Sequence, residues 1–291
     1  PSTGQTTPYL PGSSLKGIFR SYAEMLLRSF DANYACDPFE TGETSDNRGM
    51  IMSCSDYLER QKKNQTIASS SQIYRKLCPA CKLFGCTSHI GRFFIEDAYP
   101  LGNTPQEIQT STAIDRFTGG VKSGALFTRK PLSTNGAKFK TTLTVSNFEL
   151  WQVGLIGLAL RDINEGYQGV GSGSRTGYGK LRVDIKKATV SYNRQAYEKT
   201  LDSSEISQAS EYILFGIGNL IPEEKIRGVY GYQLETPIKV SSKGVSKDED
   251  LLKISFHWNG GEGMKKIFED SVKILATFLQ DGSLITERRA G

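Results

Sequence analysis

All five cysteines of this chain fall between residues 31 and 88, in a stretch otherwise rich in polar residues, and they constrain its fold more than any other feature. Cys78-Pro79-Ala80-Cys81 is a C-x2-C pair, a spacing that lets two thiolates share one tetrahedral zinc ion. Two further cysteines lie upstream. Four thiolates around one ion would fix a region that has little hydrophobic core of its own. The sequence therefore predicts a structural Zn2+ site with the ligands Cys36, Cys54, Cys78 and Cys81.

Two other residues compete for a place in this site. Cys86 and His89 follow the C-x2-C pair closely, and spacing alone excludes neither. We rank them lower, because the chain is expected to turn back into a strand at Leu83-Phe84-Gly85. Buried free thiols are the alternative interpretation, and they suit scattered cysteines better than a C-x2-C pair. Since five is an odd number, a disulfide framework is disfavoured, and we expect a reducing, cytoplasmic setting.

A second pattern runs from residue 9 to residue 30. Pro11-Gly12 is typical of a turn, one of the two serines that follow is a suitable N-cap, and apolar residues then recur at helical spacing. The start of such a helix directs backbone N–H groups, hydroxyls and the positive end of the helix dipole towards one point, beside two basic residues four apart. An ordinary capped amphipathic helix is the alternative. The predicted phosphate contacts are Ser13, Ser14, Lys16 and Arg20.

Residues 110–130 combine short apolar pieces, glycines, basic residues and the rings of Phe117 and Phe127. We predict a protruding β-hairpin. Basic and aromatic residues on such an arm suit nucleic acid, because cations neutralise phosphates and rings stack on bases. A hairpin that packs on a neighbouring subunit would have a similar composition. The predicted nucleic-acid contacts are Arg116, Lys122, Arg129 and Lys130.

A glycine-rich segment, residues 166–179, follows a predicted helix that Asn147 would cap. Its six glycines permit positive φ and close approach of the backbone to an anion. Alternating apolar residues predict a strand over 181–185. The segment thus runs from helix to strand, unlike a dinucleotide-binding fingerprint or a Walker loop, which run from strand to helix. The predicted anion contacts here are Ser174 and Arg175.

The bulk composition is that of a globular protein. The 291 residues are enough for two domains, and the net charge of +5 permits a polyanionic partner without requiring one. The longest apolar run, residues 151–160, is too short to cross a bilayer. From about residue 205 a second cycle is predicted, with strands over 229–240 and 251–258 and a helix over 263–280. Two α+β units of ferredoxin-like type are therefore expected.

Three of these motifs occur together in a known family. They are Tyr9-Leu10-Pro11-Gly12-Ser13-Ser14-Leu15-Lys16-Gly17, Cys78-Pro79-Ala80-Cys81-Lys82-Leu83-Phe84-Gly85 with Ile114-Asp115-Arg116 downstream, and the glycine-rich segment 171–179. In their order and spacing the chain resembles the RAMP superfamily of CRISPR-associated proteins, specifically the backbone subunits of type III effector complexes. The resemblance extends from residue 1 to about 190, and residues 205–291 resemble a second RAMP-like unit only faintly.

The resemblance implies a modified RNA-recognition-motif (ferredoxin-like) fold. Residues 1–200 would form the backbone domain, with a zinc-knuckle insertion at 31–88 and a hairpin thumb at 117–131, and residues 205–291 a second, partial unit. It implies CRISPR guide RNA, target single-stranded RNA and other RAMP subunits as partners. The serines at the helix start, Lys16, Arg20 and Arg175 would contact guide phosphates, while the thumb would kink the guide–target duplex.

Two alternatives stay open. Family members that cleave the target use an aspartate just upstream of the Pro-Gly-Ser-Ser-Leu-Lys-Gly motif, with help from a divalent metal ion such as Mg2+ or Mn2+. That position maps ahead of Pro1, so an endoribonuclease activity is a separate hypothesis. We assign no catalysis to Asp115, which is interpreted as a structural partner of Arg116 or another basic group. The other alternative is a zinc-bearing protein-interaction module.

Overall fold

A computed structural model shows a mixed α+β protein with small antiparallel sheets, which confirms the predicted fold class at this level. The structure describes residues 7–40, 52–64, 71–102, 104, 106–132, 137–171, 173, 177–201, 210–221 and 224–284. The chain forms two compact units. Unit 1 contains Pro1–Leu15 and Ile95–Leu143, and unit 2 contains Lys16–Phe94 and Thr144–Gly291.

The helices are α1 (Gly12–Phe30), a 3-10 turn (Ala32–Tyr34), α2 (Cys54–Lys63), α3 (Ser71–Lys76), α4 (Pro79–Phe84), α5 (Leu150–Asn164), α6 (Arg194–Thr200), α7 (Glu224–Tyr230) and α8 (Glu262–Gln280). The strands are β1 (Gly85–Cys86), β2 (His89–Ile90), β3 (Phe93–Ile95), β4 (Tyr99–Pro100), β5 (Gln109–Ile114), β6 (Val121–Arg129), β7 (Phe139–Lys140), β8 (Leu143–Val145), β9 (Lys187–Asn193), β10 (Glu211–Leu214), β11 (Ile238–Ser241), β12 (Val245–Glu249) and β13 (Lys253–Asn259). Over the described part of the chain, no helix is both long and apolar enough for a bilayer crossing.

Unit 1 is built from two distant pieces of the chain. Leu10 and Ala98 exchange backbone hydrogen bonds, with N···O distances of 3.0 and 2.8 Å. Strand β4 pairs with β7, and β5 pairs with β6 as one long antiparallel hairpin. The predicted hairpin is present, and it includes the whole strand β5 ahead of the predicted thumb range 117–131.

Unit 2 holds the larger core. Strands β12, β13 and β9 form an antiparallel sheet in that order, and β10 pairs with β11. Helix α5 packs closely on α8, because Gly154 and Gly157 face that helix without side chains. A Cβ at Gly154 would stand 2.4 Å from the carbonyl oxygen of Ser271, and one at Gly157 would stand 2.8 Å from the ring of Phe268.

Several element predictions need correction. Residues 181–185 form no strand, and the strand begins only at Lys187. The predicted strand over 229–240 is helix α7 up to Tyr230, followed by Gly231 at φ 71°, and only its end enters β11. Asn147 does not cap α5. It lies at φ 49°, and Glu149 is the N-cap residue. His257 lies in β13, as expected of a strand residue.

Candidate metal centre and nucleic-acid interface

Four buried cysteines meet in unit 2. The sulfur atoms of Cys36, Cys54, Cys78 and Cys81 all lie within 4.8 Å of one another. The Sγ atoms of Cys36 and Cys81 are 3.7 Å apart. All four side chains are nearly or completely buried. The C-x2-C pair and the two upstream cysteines are thus brought together as their spacing suggested.

Short elements with local caps hold these cysteines in place. Cys78 is the N-cap residue of α4, and its sulfur accepts a hydrogen bond from the Cys81 backbone N–H at 3.4 Å. Pro79 follows at the start of the helix, where its missing N–H costs nothing. The Cys54 sulfur accepts from the Cys78 backbone N–H, also at 3.4 Å. Gly85 then turns the chain into β1 at φ 90°, a conformation that favours glycine.

The geometry fits a tetrahedral metal ion with four thiolate ligands. Zinc–sulfur bonds of about 2.3 Å at tetrahedral angles place sulfur atoms roughly 3.8 Å apart. The observed 3.7 Å between Cys36 and Cys81 agrees with this spacing. Cys86 and His89 do not belong to the four-cysteine group, although both line a cavity of about 550 Å³ beside it. The geometry therefore favours the four-cysteine set over the two competing ligands.

The cluster favours negative charge on some of its sulfur atoms only: hydrogen bonds among the cysteines lower the pKa values of Cys36 and Cys78 and raise those of Cys54 and Cys81. Burial raises the pKa of Cys78, but hydrogen bonds from the other three cysteines outweigh it and hold that pKa well below its ordinary value. Arg20 places a positive charge beside the cluster. Its Nη2 lies 3.7 Å from the Cys81 sulfur, its Nη1 donates to the Gly85 carbonyl at 3.2 Å, and its Nε donates to Glu24 at 2.8 Å. The guanidinium thus joins α1 to the cysteine cluster.

The start of α1 differs from the prediction. The helix begins at Gly12, so Ser13 and Ser14 lie in its first turn and neither is the N-cap. The Gly12 N–H donates instead to the carboxylate of Asp97 at 2.7 Å. Only glycine fits at this position, because a Cβ would stand 2.3 Å from the Ile95 carbonyl oxygen. The Asp97 carboxylate thus already accepts a hydrogen bond from one N–H group at the start of the helix. Both serines are exposed.

Lys16 lies on the next turn of α1. Its ammonium group is 5.7 Å from the centre of the Phe94 ring, a cation–π distance. Burial lowers the pKa of Lys16, and the positive charge of Arg20 lowers it further. The two basic residues are therefore neighbours on one helix face, as their spacing suggested. That they bind phosphate stays a prediction.

The hairpin β5–β6 exposes its cations. The side chains of Arg116, Lys122, Arg129 and Lys130 are all exposed, and the Arg129 guanidinium lies 5.1 Å from the Phe127 ring centre. Phe117, at the tip, is fully exposed. The hairpin therefore presents both positive charge and an aromatic ring to its surroundings, and contact with nucleic acid stays a prediction.

Asp115 shapes the tip of this hairpin. Its carboxylate accepts hydrogen bonds from the backbone N–H groups of Phe117 and Thr118, both at 2.9 Å. Both bonds lower the pKa of Asp115, and the bond from Thr118 has the larger effect. Asp115 thus holds a turn that presents Phe117, rather than pairing with Arg116. The structure assigns it a structural role, as expected, through different partners.

The glycine-rich segment is only partly described. Ser174 and Arg175 lie outside the described residues, so their role stays a prediction. Gly171, Gly177 and Gly179 have φ angles between 76° and 91°, as the sequence suggested. The helix that leads into the segment is tied to α1, because the Tyr22 hydroxyl donates to Asp162 at 2.7 Å.

Unit 2 also contains a buried polar network that the sequence did not predict. The Arg92 guanidinium lies 3.9 Å from the Tyr74 ring centre and 5.1 Å from that of Tyr232, and it forms an ion pair with Glu149 at 3.7 Å. Tyr74 donates a hydrogen bond to the same carboxylate. Tyr74 and Glu149 are 75 positions apart, and Arg92 and Tyr232 are 140 positions apart. No local sequence pattern therefore links them.

Comparison with known proteins identifies a family. No curated protein was found to match the chain. A family model of the RAMP superfamily matches residues 2–182, a range that includes the helix start, the cysteine cluster, the hairpin and the glycine-rich segment. RAMP proteins are CRISPR-associated RNA-binding modules. Because the match covers more than half of the chain, this protein belongs to the RAMP superfamily.

Proposed function

We propose that this protein is a backbone subunit of a type III CRISPR effector complex, which holds the guide RNA and contacts the guide–target duplex through its hairpin. The hairpin is the observation that carries the proposal. It presents four exposed cations and a fully exposed ring at its tip. Among the described residues, none of the four cations forms an ion pair with an acidic side chain. Neighbouring RAMP subunits and a cytoplasmic setting are part of the proposal.

The chemistry of the hairpin suits RNA of any sequence. Cations that contact phosphates give affinity without reading bases, and the guide–target pairing supplies sequence selection. An exposed phenylalanine can stack on a base or enter a base step. Binding should therefore depend strongly on salt and weakly on RNA sequence.

The test compares two variants of equal net charge for binding to guide-length single-stranded RNA. The hairpin variant carries Arg116→Gln, Lys122→Gln, Arg129→Gln and Lys130→Gln. The control removes four exposed charges outside the hairpin, with Lys199→Gln, Lys243→Gln, Lys253→Gln and Lys266→Gln. The salt slope of log affinity should fall by about 0.7 for each phosphate that the hairpin variant no longer neutralises. Affinity and slope equal to those of the control would contradict the proposal.

We also propose that Cys36, Cys54, Cys78 and Cys81 hold a structural Zn2+ ion. The sulfur spacing, the burial of the four side chains and the Arg20 guanidinium beside the Cys81 sulfur support it. Bound zinc would ionise all four thiols and fix α2 and α4 to the turn at residues 32–34. If the cluster binds zinc, removal of the ion by a chelator should leave the protein less completely folded.

Native mass spectrometry provides the measurement. The protein should carry one zinc ion per chain, and the Cys78→Ser/Cys81→Ser variant should carry none. Cys86→Ser is the matched control and should keep its zinc. Loss of zinc from the control, or a metal-free chain with the full circular dichroism and melting behaviour of the loaded one, would overturn the assignment.

A further inference from the structure

Two half-exposed tyrosines stack on each other in unit 1. The ring centres of Tyr9 and Tyr99 are 5.7 Å apart, with 20° between the ring planes. Tyr9 is 47% exposed and Tyr99 is 50% exposed. Tyr9 begins the Pro-Gly-Ser-Ser-Leu-Lys-Gly motif segment, but the sequence pattern assigns no role to either ring. A single exposed ring is ordinary, but two rings stacked side by side form a flat aromatic surface with free area on it.

Backbone pairing holds both rings in place. Leu10, next to Tyr9, exchanges two backbone hydrogen bonds with Ala98, next to Tyr99. The Asp97 carboxylate accepts from the Gly12 N–H at 2.7 Å and lies 3.5 Å from the Tyr99 hydroxyl. The tyrosine pair is therefore set by the backbone and needs little ordering when a ligand binds.

Besides the Asp97 carboxylate, which already accepts from the Gly12 N–H, two lysines border the pair. Tyr99 is the cross-strand partner of Lys140 in the antiparallel pair β4–β7, so both side chains lie on one face. Lys138 is two positions earlier, and the exposure pattern puts it on that same exposed face. Unit 1 as a whole has six lysines and arginines against four acidic residues.

We propose that Tyr9 and Tyr99 form a stacking platform for an unpaired RNA base, with Lys138 and Lys140 neutralising the adjoining phosphates. Rings supply stacking that every base can use, and flanking ammonium groups supply the counter-charge for the backbone. An apolar protein partner would not be matched by two lysines at the border of the surface. This inference rests on the proposed RNA-binding function and adds a contact outside the hairpin.

Fluorescence tests the platform directly. The natural tryptophans, Trp151 and Trp258, are buried, so a Tyr99→Trp substitution introduces an exposed fluorophore. Guide-length single-stranded RNA should quench its emission, and an RNA of the same length made only of abasic riboses should quench it much less. Tyr230→Trp is the matched control, because Tyr230 is also exposed and stacked on a tyrosine in the other unit. Its emission should not follow RNA binding.

Affinity measurements complete the test. Tyr9→Ala and Tyr99→Ala should each weaken binding on the order of tenfold, while Phe substitutions at both positions should keep it. Lys138→Gln and Lys140→Gln should lower the salt slope, whereas the tyrosine variants should leave that slope unchanged. A Tyr99→Trp variant that binds RNA without any quenching of the introduced fluorophore would overturn the inference.

The outcomes separate this inference from the proposed function. A wild-type protein that binds no RNA contradicts both. A wild-type protein that binds RNA no more tightly than Tyr9→Ala and Tyr99→Ala contradicts the platform alone. If these variants instead change self-association in size-exclusion chromatography and leave RNA affinity unchanged, the pair belongs to a protein contact and the platform is wrong.

Discussion

At the scale of single residues, two helices begin with N–H groups that donate to a carboxyl group from a distant part of the chain. The Gly12 N–H donates to Asp97, and the N–H groups of Leu150 and Trp151 donate to Glu235 at 2.7 and 2.8 Å. In each case a carboxyl group accepts hydrogen bonds at the positive end of the helix dipole. Local patterns suggested serine and asparagine caps, because a sequence window does not reach an acceptor 85 residues away.

Glu235 gives a pH-dependent prediction. Burial, and next the charge of Glu149, raise its pKa to about 8 in spite of the two backbone hydrogen bonds. The unfolded chain loses this proton near pH 4.5. Between these values the folded state binds a proton that the unfolded state lacks, so the free energy of unfolding should fall by about 1.4 kcal/mol per pH unit as pH rises.

Denaturant unfolding at several pH values measures this slope. Glu235→Gln should flatten it between pH 5 and about 8, whatever its effect on absolute stability. Glu211→Gln, at an exposed position on β10, is the control and should keep the wild-type slope. A Glu235→Gln variant with the same slope as the wild type would show that the carboxyl group does not titrate there.

At the scale of elements, predictions succeeded where the pattern is local. The spacing of the C-x2-C pair predicts shared ligation, and the amphipathic repeat predicts helix α8. The hairpin contains its own turn, which Asp115 closes. Residues 181–185 alternate between partly buried and exposed positions as a strand would, yet they pair with no strand among the described residues. Alternation predicts a half-buried extended segment, but a strand also requires a partner with free backbone groups.

The strand prediction for the region after α7 was wrong for a different reason. Its apolar and aromatic content suggested one strand over 229–240, but Gly231 adopts φ 71° and Pro237 has no N–H to donate. The strand therefore begins only at Ile238. The buried network of Arg92, Glu149 and Tyr74 was also beyond prediction, since it depends on tertiary contacts alone.

At the scale of the whole molecule, residues 210–284 are part of the unit 2 core. Leu150 of α5 packs in one hydrophobic cluster with Phe256 and Ile267. The Tyr34 hydroxyl donates to the Leu279 carbonyl at 3.0 Å. The predicted domain boundary at residues 200–205 stays a prediction. It was inferred from the order of elements along the chain, which does not show that α8 packs on α5.

Truncation tests this arrangement. A chain ending at residue 200 should lose cooperative melting and aggregate, because the side of α5 that faces α8 is left uncovered. Each fully buried side chain that becomes exposed costs about 1.5–3 kcal/mol. The control replaces residues 109–129 with a short Gly-Ser turn and should melt like the wild type, since the hairpin is exposed. Differential scanning calorimetry of both chains gives the comparison. A residue 1–200 fragment that melts cooperatively near the wild-type temperature would contradict this expectation and support the predicted two-domain division.

The pairing of Leu10 with Ala98 has a consequence for how the molecule is made. A ribosome completes Cys81 before it reaches Ala98, so all four cysteines are available while the amino-terminal segment still lacks its partner. If the cysteines bind the proposed ion, its capture can precede the joining of the two pieces of unit 1. The four-cysteine cluster would then be formed in the nascent chain while the rest of the protein is still being synthesised.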